Sequence, residues 1–212
     1  ALANEGQYGK SEMWYVVEAS EGAGVYCGFK KEIDKEQLKK ALYAGEILSL
    51  LNFIPVKEGD CIYIPSGTVH AICGGLLICE VQQNSSLTYR LYDYDRVDKT
   101  GKKRELHIEK ALKVVNTSAV CKVNESVVRE SENVRRLAEN KYFTVREISV
   151  DPLFKGSVDE ECFLSLTCIK GDGVLVWGEE ELKIERGDTY FLPAGLGEFS
   201  LRGEMKLISA RV

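Results

Sequence analysis

One segment of this chain occurs twice, and the repeat limits the folds that the sequence can adopt. EGDCIYIPSGTVHAI at 58–72 resembles RGDTYFLPAGLGEFSL at 186–201. At a constant offset, the matching pairs are Gly59 and Gly187, Asp60 and Asp188, Pro65 and Pro193, and Gly67 and Gly195. Each copy is typical of a Gly-Asp turn, an apolar strand and a Pro-x-Gly turn into the next strand. The repeat therefore predicts two related β-domains.

The rest of the chain is mostly a series of short apolar runs rich in β-branched and aromatic residues, which favour strands. In the first half these runs are EMWYVVEA, GVYCGF, DCIYIP, LLICEVQ and LTYRLYDY. In the second half they are YFTVREISV, FLSLTCI, GVLVW, ELKIE, TYFLP, EFSLRG and KLISARV. Closely spaced strands separated by turn residues predict an all-β-dominated protein built of sandwiches or barrels.

Two segments favour helices instead. Residues 35–51 place leucines at near-helical spacing, and Asp34 with Gln37 forms a plausible capping box. Gly45 lies inside this stretch, which leaves open two short helices rather than one. Residues 107–116 predict a short helix between the two strand sets, close to the domain boundary.

Composition narrows the possible partners and compartment. The net charge of -5 argues against a nucleic-acid backbone or an anionic membrane as the main partner. No apolar run approaches the roughly 20 residues that span a bilayer, and no signal peptide is visible. Seven cysteines without a C-x-x-C pair predict reduced, buried thiols in a cytoplasmic protein.

His70 and Glu12 are the candidate metal ligands, and each has a structural alternative. His70 follows the first Pro-x-Gly turn, where a neutral imidazole on a rigid strand could bind zinc. The alternative is a half-buried strand histidine that is hydrogen-bonded to a backbone carbonyl. Glu12 begins an apolar strand stripe, and a carboxylate facing inward there needs a cation. The alternative for Glu12 is an exposed strand end.

Three further charged residues are candidates for catalysis. Arg90 is flanked by apolar and aromatic residues, so its guanidinium should pair with a carboxylate or phosphate, in the simplest case Asp93 or Asp95. Glu80 and Arg90 could lie on neighbouring strands. Lys10 could bind an anion or simply be solvated. His107, at the start of the linker helix, is expected to be structural.

Three motifs in order, GKSEMWYV, GDCIYIPSGTVHAI and EVQQNSSLTYRLYDYDR, resemble the type I mannose-6-phosphate isomerases, which are cupin-fold enzymes. The resemblance covers essentially the whole chain and is greatest to the short bacterial form. It implies two cupin or jelly-roll β-barrel domains: a catalytic domain at 1–105, N-terminally incomplete and with a helical insert at 34–52, and a metal-free domain at 117–212. A linker helix at 106–116 joins them.

The resemblance also assigns the site. The family binds one zinc ion through a Gln, a His, a Glu and a second His. The last two correspond to Glu12 and His70. The first two belong to a Gln-x-His motif that this sequence does not contain and that we expect upstream of residue 1. The active-site arginine corresponds to Arg90, an active-site glutamate to Glu80, and a lysine involved in substrate handling to Lys10.

The implied reaction is the interconversion of mannose 6-phosphate and fructose 6-phosphate through a cis-enediol. The sequence leaves Glu80, Lys10 and a zinc-bound water open as the base. The resemblance implies a monomer that acts on a small sugar phosphate, and the net charge argues against nucleic-acid or membrane partners. The alternative is a non-catalytic cupin module for carbohydrate binding or regulation, or an inactive fragment of the isomerase.

Overall fold

The structure is a computed structural model, and it describes residues 6, 8–118 and 121–212. Residues 1–5 and 7 of the predicted first domain, and 119–120 of the predicted second, lie outside the described residues. The chain divides into two compact units, Ala1–Val123 and Asn124–Val212, and the predicted linker helix belongs to the first. Antiparallel strands dominate both units, which confirms the all-β prediction.

The first unit contains two three-stranded sheets, with strand orders β4-β1-β6 and β3-β2-β5. Its strands are β1 (Glu12–Ala19), β2 (Gly24–Phe29), β3 (Leu51–Pro55), β4 (Cys61–Ile64), β5 (His70–Ile72) and β6 (Leu76–Gln82). One apolar cluster joins the inner residues of both sheets, including Trp14, Val25 and Ile62. The two sheets thus share a core, as layered β-domains do.

Helices of the first unit form where the sequence predicts them. They are α1 (Lys35–Ala44), α2 (Ile47–Leu50) and α3 (Ile108–Val114). The Asp34 carboxylate accepts a hydrogen bond from the Gln37 amide at 2.7 Å, and the Gln37 side chain accepts one from the Asp34 amide at 3.2 Å, so the capping box is confirmed. Gly45 ends α1 in the left-handed conformation, with φ 72°, so the segment contains two helices.

A second apolar cluster places these helices around one end of β2 and β3. Phe29 and Leu51 from the strands pack with Leu38, Ile47 and Leu112 from the three helices. Leu91, from the segment that carries Arg90, is buried in the same cluster. This core therefore fixes α3 and the Arg90 segment to the first unit.

The second unit contains one eight-stranded antiparallel sheet, whose main strand order is β12-β11-β14-β9-β8-β7. In addition, β10 pairs with β14 and β13 pairs with β11. Its strands are β7 (Val128–Arg129), β8 (Val134–Glu139), β9 (Thr144–Val150), β10 (Leu153–Val158), β11 (Leu164–Trp177), β12 (Glu180–Ile184), β13 (Thr189–Leu192) and β14 (Gly197–Arg211). Twelve of its buried residues form one apolar cluster that includes Leu166, Leu175 and Leu201.

Two expectations prove wrong. Residues 87–94 alternate like a strand but form none, because their side chains and backbone bond to the 93–107 region instead of to a sheet. The cysteines are not all reduced thiols, because Cys27 and Cys121 form a disulfide with Cα atoms 5.5 Å apart. A separation of 94 residues leaves no local sequence pattern for such a pair. Within the described part of the chain, no helix is long and apolar enough to cross a membrane.

Candidate functional site

A cavity of about 560 Å³ opens in the first unit between β1, β5, α2, α3 and the 87–96 segment. Four of the five predicted site residues, Lys10, Glu12, His70 and Arg90, line it. The volume lies in the range of about 300–1,000 Å³ that small-molecule sites occupy. The fold thus brings together residues that are up to 80 positions apart in the sequence.

Glu12 is the most buried member of this group, with 1% of its side chain exposed, so it is not an exposed strand end. It begins β1 and lies in register between Ile64 of β4 and Gln82 of β6. Among the described residues, its Oε1 atom accepts no hydrogen bond of regular geometry. Lys10 Nζ lies 2.9 Å from that oxygen and His70 Nε2 lies 3.6 Å from it. A buried carboxylate of this kind requires a cation close by.

His70 begins β5, and the turn before it fixes the orientation of the ring. The ring nitrogen Nδ1 lies 2.8 Å from the Thr68 carbonyl oxygen, to which it can only donate. Nε2 then carries the lone pair in the neutral ring and faces Glu12. Trp14 packs edge-on against the ring at 5.2 Å. The backbone hydrogen bond of the structural alternative is therefore present, and it is also the bond that orients metal-binding histidines.

The pair formed by Glu12 and His70 fits a zinc ion. Zinc lies about 2.0–2.2 Å from nitrogen and carboxylate ligands, so two ligands of a tetrahedral ion are about 3.4 Å apart. The observed 3.6 Å between Nε2 and Oε1 is close to this value. Among residues 6, 8–118 and 121–212, no third His, Cys, Asp or Glu joins the pair. Glu12 and His70 therefore stay a predicted pair of zinc ligands.

Lys10 and Glu80 form the neighbouring polar group. Lys10 Nζ donates to Gln82 Oε1 at 2.5 Å and lies 3.4 Å from Glu80 Oε1. Burial lowers the pKa of Lys10, but the carboxylates of Glu12 and Glu80 outweigh this effect and raise the pKa above its usual value. Glu80 also accepts a hydrogen bond from the Trp14 indole at 3.1 Å. It lies behind Lys10 and is not part of the cavity lining among the described residues.

Arg90 lies across the cavity in the segment that is not a strand. Its Nε atom lies 4.0 Å from Asp93 Oδ1, which matches the predicted structural pair at the limit of an ion contact. Its Nη1 atom donates to the Glu105 carbonyl at 3.4 Å. The side chain is 27% exposed and faces the cavity lining, so it remains accessible to a bound anion.

The sequence did not reveal a cationic cluster on the same wall. Asp93 is buried, accepts hydrogen bonds from Arg96 at 2.8 Å and Arg104 at 2.8 Å, and has a second, short contact with Arg104. These hydrogen bonds, that from Arg104 foremost, lower the pKa of Asp93 to about 2. Arg96 and Arg104 both line the cavity. The YDYDR motif could have suggested Arg96, whereas no spacing rule points to Arg104.

The chain is similar in sequence to proteins of a known family. A family model described as mannose-6-phosphate isomerase, cupin domain, matches residues 133–212. The chain is 38% identical over 212 residues to mannose-6-phosphate isomerase ManA of Bacillus subtilis, and 36% identical over 214 residues to mannose-6-phosphate isomerase of Streptococcus mutans. These alignments cover 98% and 99% of this chain and 66% of each relative.

A solved structure of similar sequence gives the same result. The crystal structure of the mannose 6-phosphate isomerase from Bacillus subtilis superposes with a TM-score of 0.89 at 34% identity. The match covers 98% of this chain and 66% of that structure. The chain therefore has the fold of that part of the relative and spans 66% of the length of each protein it matches here.

Proposed function

Because the chain belongs to the mannose-6-phosphate isomerase family, we propose that it interconverts mannose 6-phosphate and fructose 6-phosphate with the help of one zinc ion. The observation that most supports this is the grouping of Lys10, Glu12, His70 and Arg90 around one cavity. We further propose, from the same resemblance, that it acts as a cytoplasmic monomer.

The charges of the cavity suit a sugar phosphate. Its lining contains four cationic side chains and two carboxylates. The cations are Lys10, Arg90, Arg96 and Arg104, and the carboxylates are Glu12 and Asp93. The excess of positive charge attracts a phosphate dianion. Guanidinium groups also bind phosphate oxygens in bidentate geometry, which favours the arginine wall as the place where the phosphate binds.

The reaction moves one proton between two neighbouring carbons. The C2–H bond of mannose 6-phosphate breaks, its electron pair forms the C1–C2 double bond, and the C1 carbonyl oxygen takes up the negative charge. In the resulting cis-enediolate, the C1 oxygen gains a proton and the C2 hydroxyl gives one up. C1 then accepts the proton that the base carries, and the C2 oxygen becomes the carbonyl of fructose 6-phosphate. Catalysis needs a base for the proton and a positive group for the oxygen.

Arg90 is suited to stabilise the charge on the oxygen, because its guanidinium group is a cation with several N–H donors and lines the cavity. Lys10 is suited to donate a hydrogen bond to a sugar oxygen, with Gln82 and Glu80 holding its ammonium group in place. Glu12 and His70 would hold the zinc ion, and the Thr68 carbonyl keeps the imidazole nitrogen directed at Glu12. A bound zinc ion supplies Lewis-acid polarisation of a substrate oxygen.

The proposal is tested on the full chain after metal stripping, by measuring fructose 6-phosphate formation and zinc content during zinc addition. We expect turnover that rises with bound zinc and reaches a plateau at one ion per chain. Arg90→Ala should lower kcat by about 10²–10³-fold, the usual loss for one oxyanion-stabilising group.

Two results would contradict the proposal in different ways. Unchanged kcat in Arg90→Ala would remove the role given to Arg90. Binding of mannose 6-phosphate without turnover at any zinc level would favour the alternative, a non-catalytic carbohydrate-binding module.

A further inference from the structure

Arg90 has an unusual backbone environment for a residue at the centre of a site. It lies in a segment without regular secondary structure, so no sheet ladder fixes its backbone. Both of its backbone polar groups are bonded to a single residue, His107. The His107 amide donates to the Arg90 carbonyl at 2.7 Å, and the Arg90 amide donates to His107 Nδ1 at 3.1 Å.

We propose that His107 is the positioning residue of Arg90. Its amide and imidazole bond the backbone of Arg90 as a neighbouring strand would in a sheet. An N–H group can donate to Nδ1 only when that nitrogen carries a lone pair. The ring is therefore bound as the neutral tautomer with its proton on Nε2. Reciprocal bonding of an amide and a carbonyl to one residue reproduces the pattern of an antiparallel strand pair, with a side chain in one of the two positions.

The segment leading to His107 also contacts the side chain of Arg90. The Glu105 carbonyl, two residues earlier, accepts a hydrogen bond from Arg90 Nη1 at 3.4 Å. The carboxylate of Asp93 contributes less, because Arg96 and Arg104 already occupy its oxygens at shorter distances. The direction of the guanidinium therefore depends mainly on residues 105–107.

His107 is itself fixed by helix α3, which it precedes. Ala111 and Leu112 of α3 are buried in the same apolar cluster as Leu91, the residue after Arg90. The helix and the arginine segment thus share a core, while His107 bridges their polar sides. The imidazole makes no capping hydrogen bond to α3, so its side chain serves the arginine segment and not the helix.

This inference rests on the proposed function, in which Arg90 stabilises the developing charge on the substrate oxygen. A displacement of about 1 Å in such a group can cost about 10²-fold in rate. We expect His107→Phe, which keeps a ring but has no acceptor, to lower kcat by about 10–100-fold with KM changed by less than about 3-fold. His107→Asn, whose side-chain oxygen can accept from the Arg90 amide, should recover most of the loss.

A double-mutant cycle separates positioning from general loosening. If His107 acts through Arg90, adding His107→Phe to an Arg90→Lys chain should cause little further loss of kcat. The matched control is Lys113→Gly, an exposed substitution that weakens α3 without touching the 90–107 contact. It should leave kcat near that of the unmodified chain.

Nuclear magnetic resonance tests the same inference without turnover. The ¹⁵N–¹⁵N coupling across the hydrogen bond should connect the Arg90 amide to His107 Nδ1. The order parameter of Arg90 Nε–H should fall in His107→Phe but not in Lys113→Gly. If these signals behave as expected and no variant turns over, the positioning stands and the proposed function fails.

The opposite results would overturn the positioning and leave the function in place. The first is a kcat of His107→Phe equal to that of the unmodified chain. The second is a loss of kcat from His107→Phe that is equally large in the Arg90 and the Arg90→Lys chains. The third is a loss of kcat in Lys113→Gly as large as that in His107→Phe. In a chain without turnover, an unchanged Arg90 Nε–H order parameter in His107→Phe would also overturn it.

Discussion

The two units use the same turn in the same way, yet among the residues that the structure describes only the first unit has a candidate site. In each, the glycine amide donates at 2.9 Å to a carbonyl of the neighbouring strand, and the amide of that strand residue donates at 2.9 Å to the aspartate carbonyl. The residues are Gly59, Asp60 and Val16 in the first unit, and Gly187, Asp188 and Cys168 in the second. The glycines adopt φ of 86° and 98°. Backbone hydrogen bonds therefore hold this turn in both units, whether or not a candidate site lies beside it.

Strand register shows what differs. Glu12 lies opposite Ile64, and the corresponding place in the second unit, opposite Leu192, is occupied by Leu164. His70 corresponds to the exposed Glu198. The buried carboxylate of Glu12 is thus replaced by the apolar Leu164 in the second unit. The imidazole of His70 is replaced by the carboxylate of Glu198. The same strand framework thus accepts either set of side chains, so function depends on which side chains it carries.

The sharpest test of this difference replaces the equivalent residues His70 and Glu198. His70→Ala should lower kcat/KM by at least about 10³-fold and abolish stoichiometric zinc binding, because one of the ligands is lost. Glu198→Ala should leave both unchanged within about twofold, since the side chain is exposed in the unit without a site. Steady-state kinetics and metal analysis measure both quantities. Comparable losses in the two variants would remove the functional asymmetry of the units.

The next largest effect concerns the disulfide, which only the first unit has among the described residues. Cys27–Cys121 closes a long loop, whereas Cys162 and Cys168 of the second unit are free. Cys121→Ala, or reduction of the unmodified chain, should lower the free energy of unfolding of the first unit by about 2–4 kcal/mol. Hydrogen exchange measured by mass spectrometry resolves the two units. Labelling of all seven cysteines in the unreduced, denatured chain would show that the bond does not form.

A smaller difference is expected at the two turns. Asp60 is buried and its Oδ2 accepts a hydrogen bond from the Lys57 amide at 2.9 Å, while the equivalent bond from Glu185 to Asp188 is more exposed. Asp60→Ala should cost about 1–3 kcal/mol, and Asp188→Ala about 0.5–1.5 kcal/mol. Urea unfolding, with hydrogen exchange to assign each loss to its unit, measures both. A larger cost at Asp188 would show that burial does not set the strength of this bond.

Acid should affect the first unit through Asp93. The guanidinium groups of Arg104 and Arg96 hold its pKa at about 2 in the folded chain, below the value of about 3.9 in an unfolded chain. The stabilisation is therefore complete above about pH 4 and is lost as the pH falls towards 2. The stability difference between the unmodified chain and Asp93→Asn should shrink over this range. A difference that does not change with pH would contradict the ion pairs.

The turns and the helix ends could be predicted from the sequence, because residues close together in the chain determine them. The repeated Gly-Asp turns require left-handed glycines, and the Asp34 capping box and Gly45 mark the ends of α1. The strand pattern failed at 87–94, where alternation is present but the backbone pairs with His107. Periodicity reports which residues alternate, and it cannot report which partner the backbone finds.

The candidate site was predictable only in part, for the same reason. Glu12, His70, Lys10 and Arg90 were found through motifs, and the structure places them around one cavity. The assignment of their roles stays a prediction. Arg104 and the disulfide depend on contacts between distant segments, which no spacing in the sequence encodes. Glu80 matches its motif but is not one of the described lining residues, and it contacts the lining residue Lys10.

The turn before His70 also has a consequence for how the two copies of the repeat can vary. A side chain at Gly67 would place its first carbon 2.8 Å from the backbone oxygen of Val114, at the end of α3. At Gly195 the nearest atom would be the movable carboxylate of Glu160 at 3.2 Å. In a saturation-mutagenesis library selected for folding, position 67 should therefore accept almost no replacement. Position 195 should accept Asn and Asp, the residues that best tolerate a left-handed backbone.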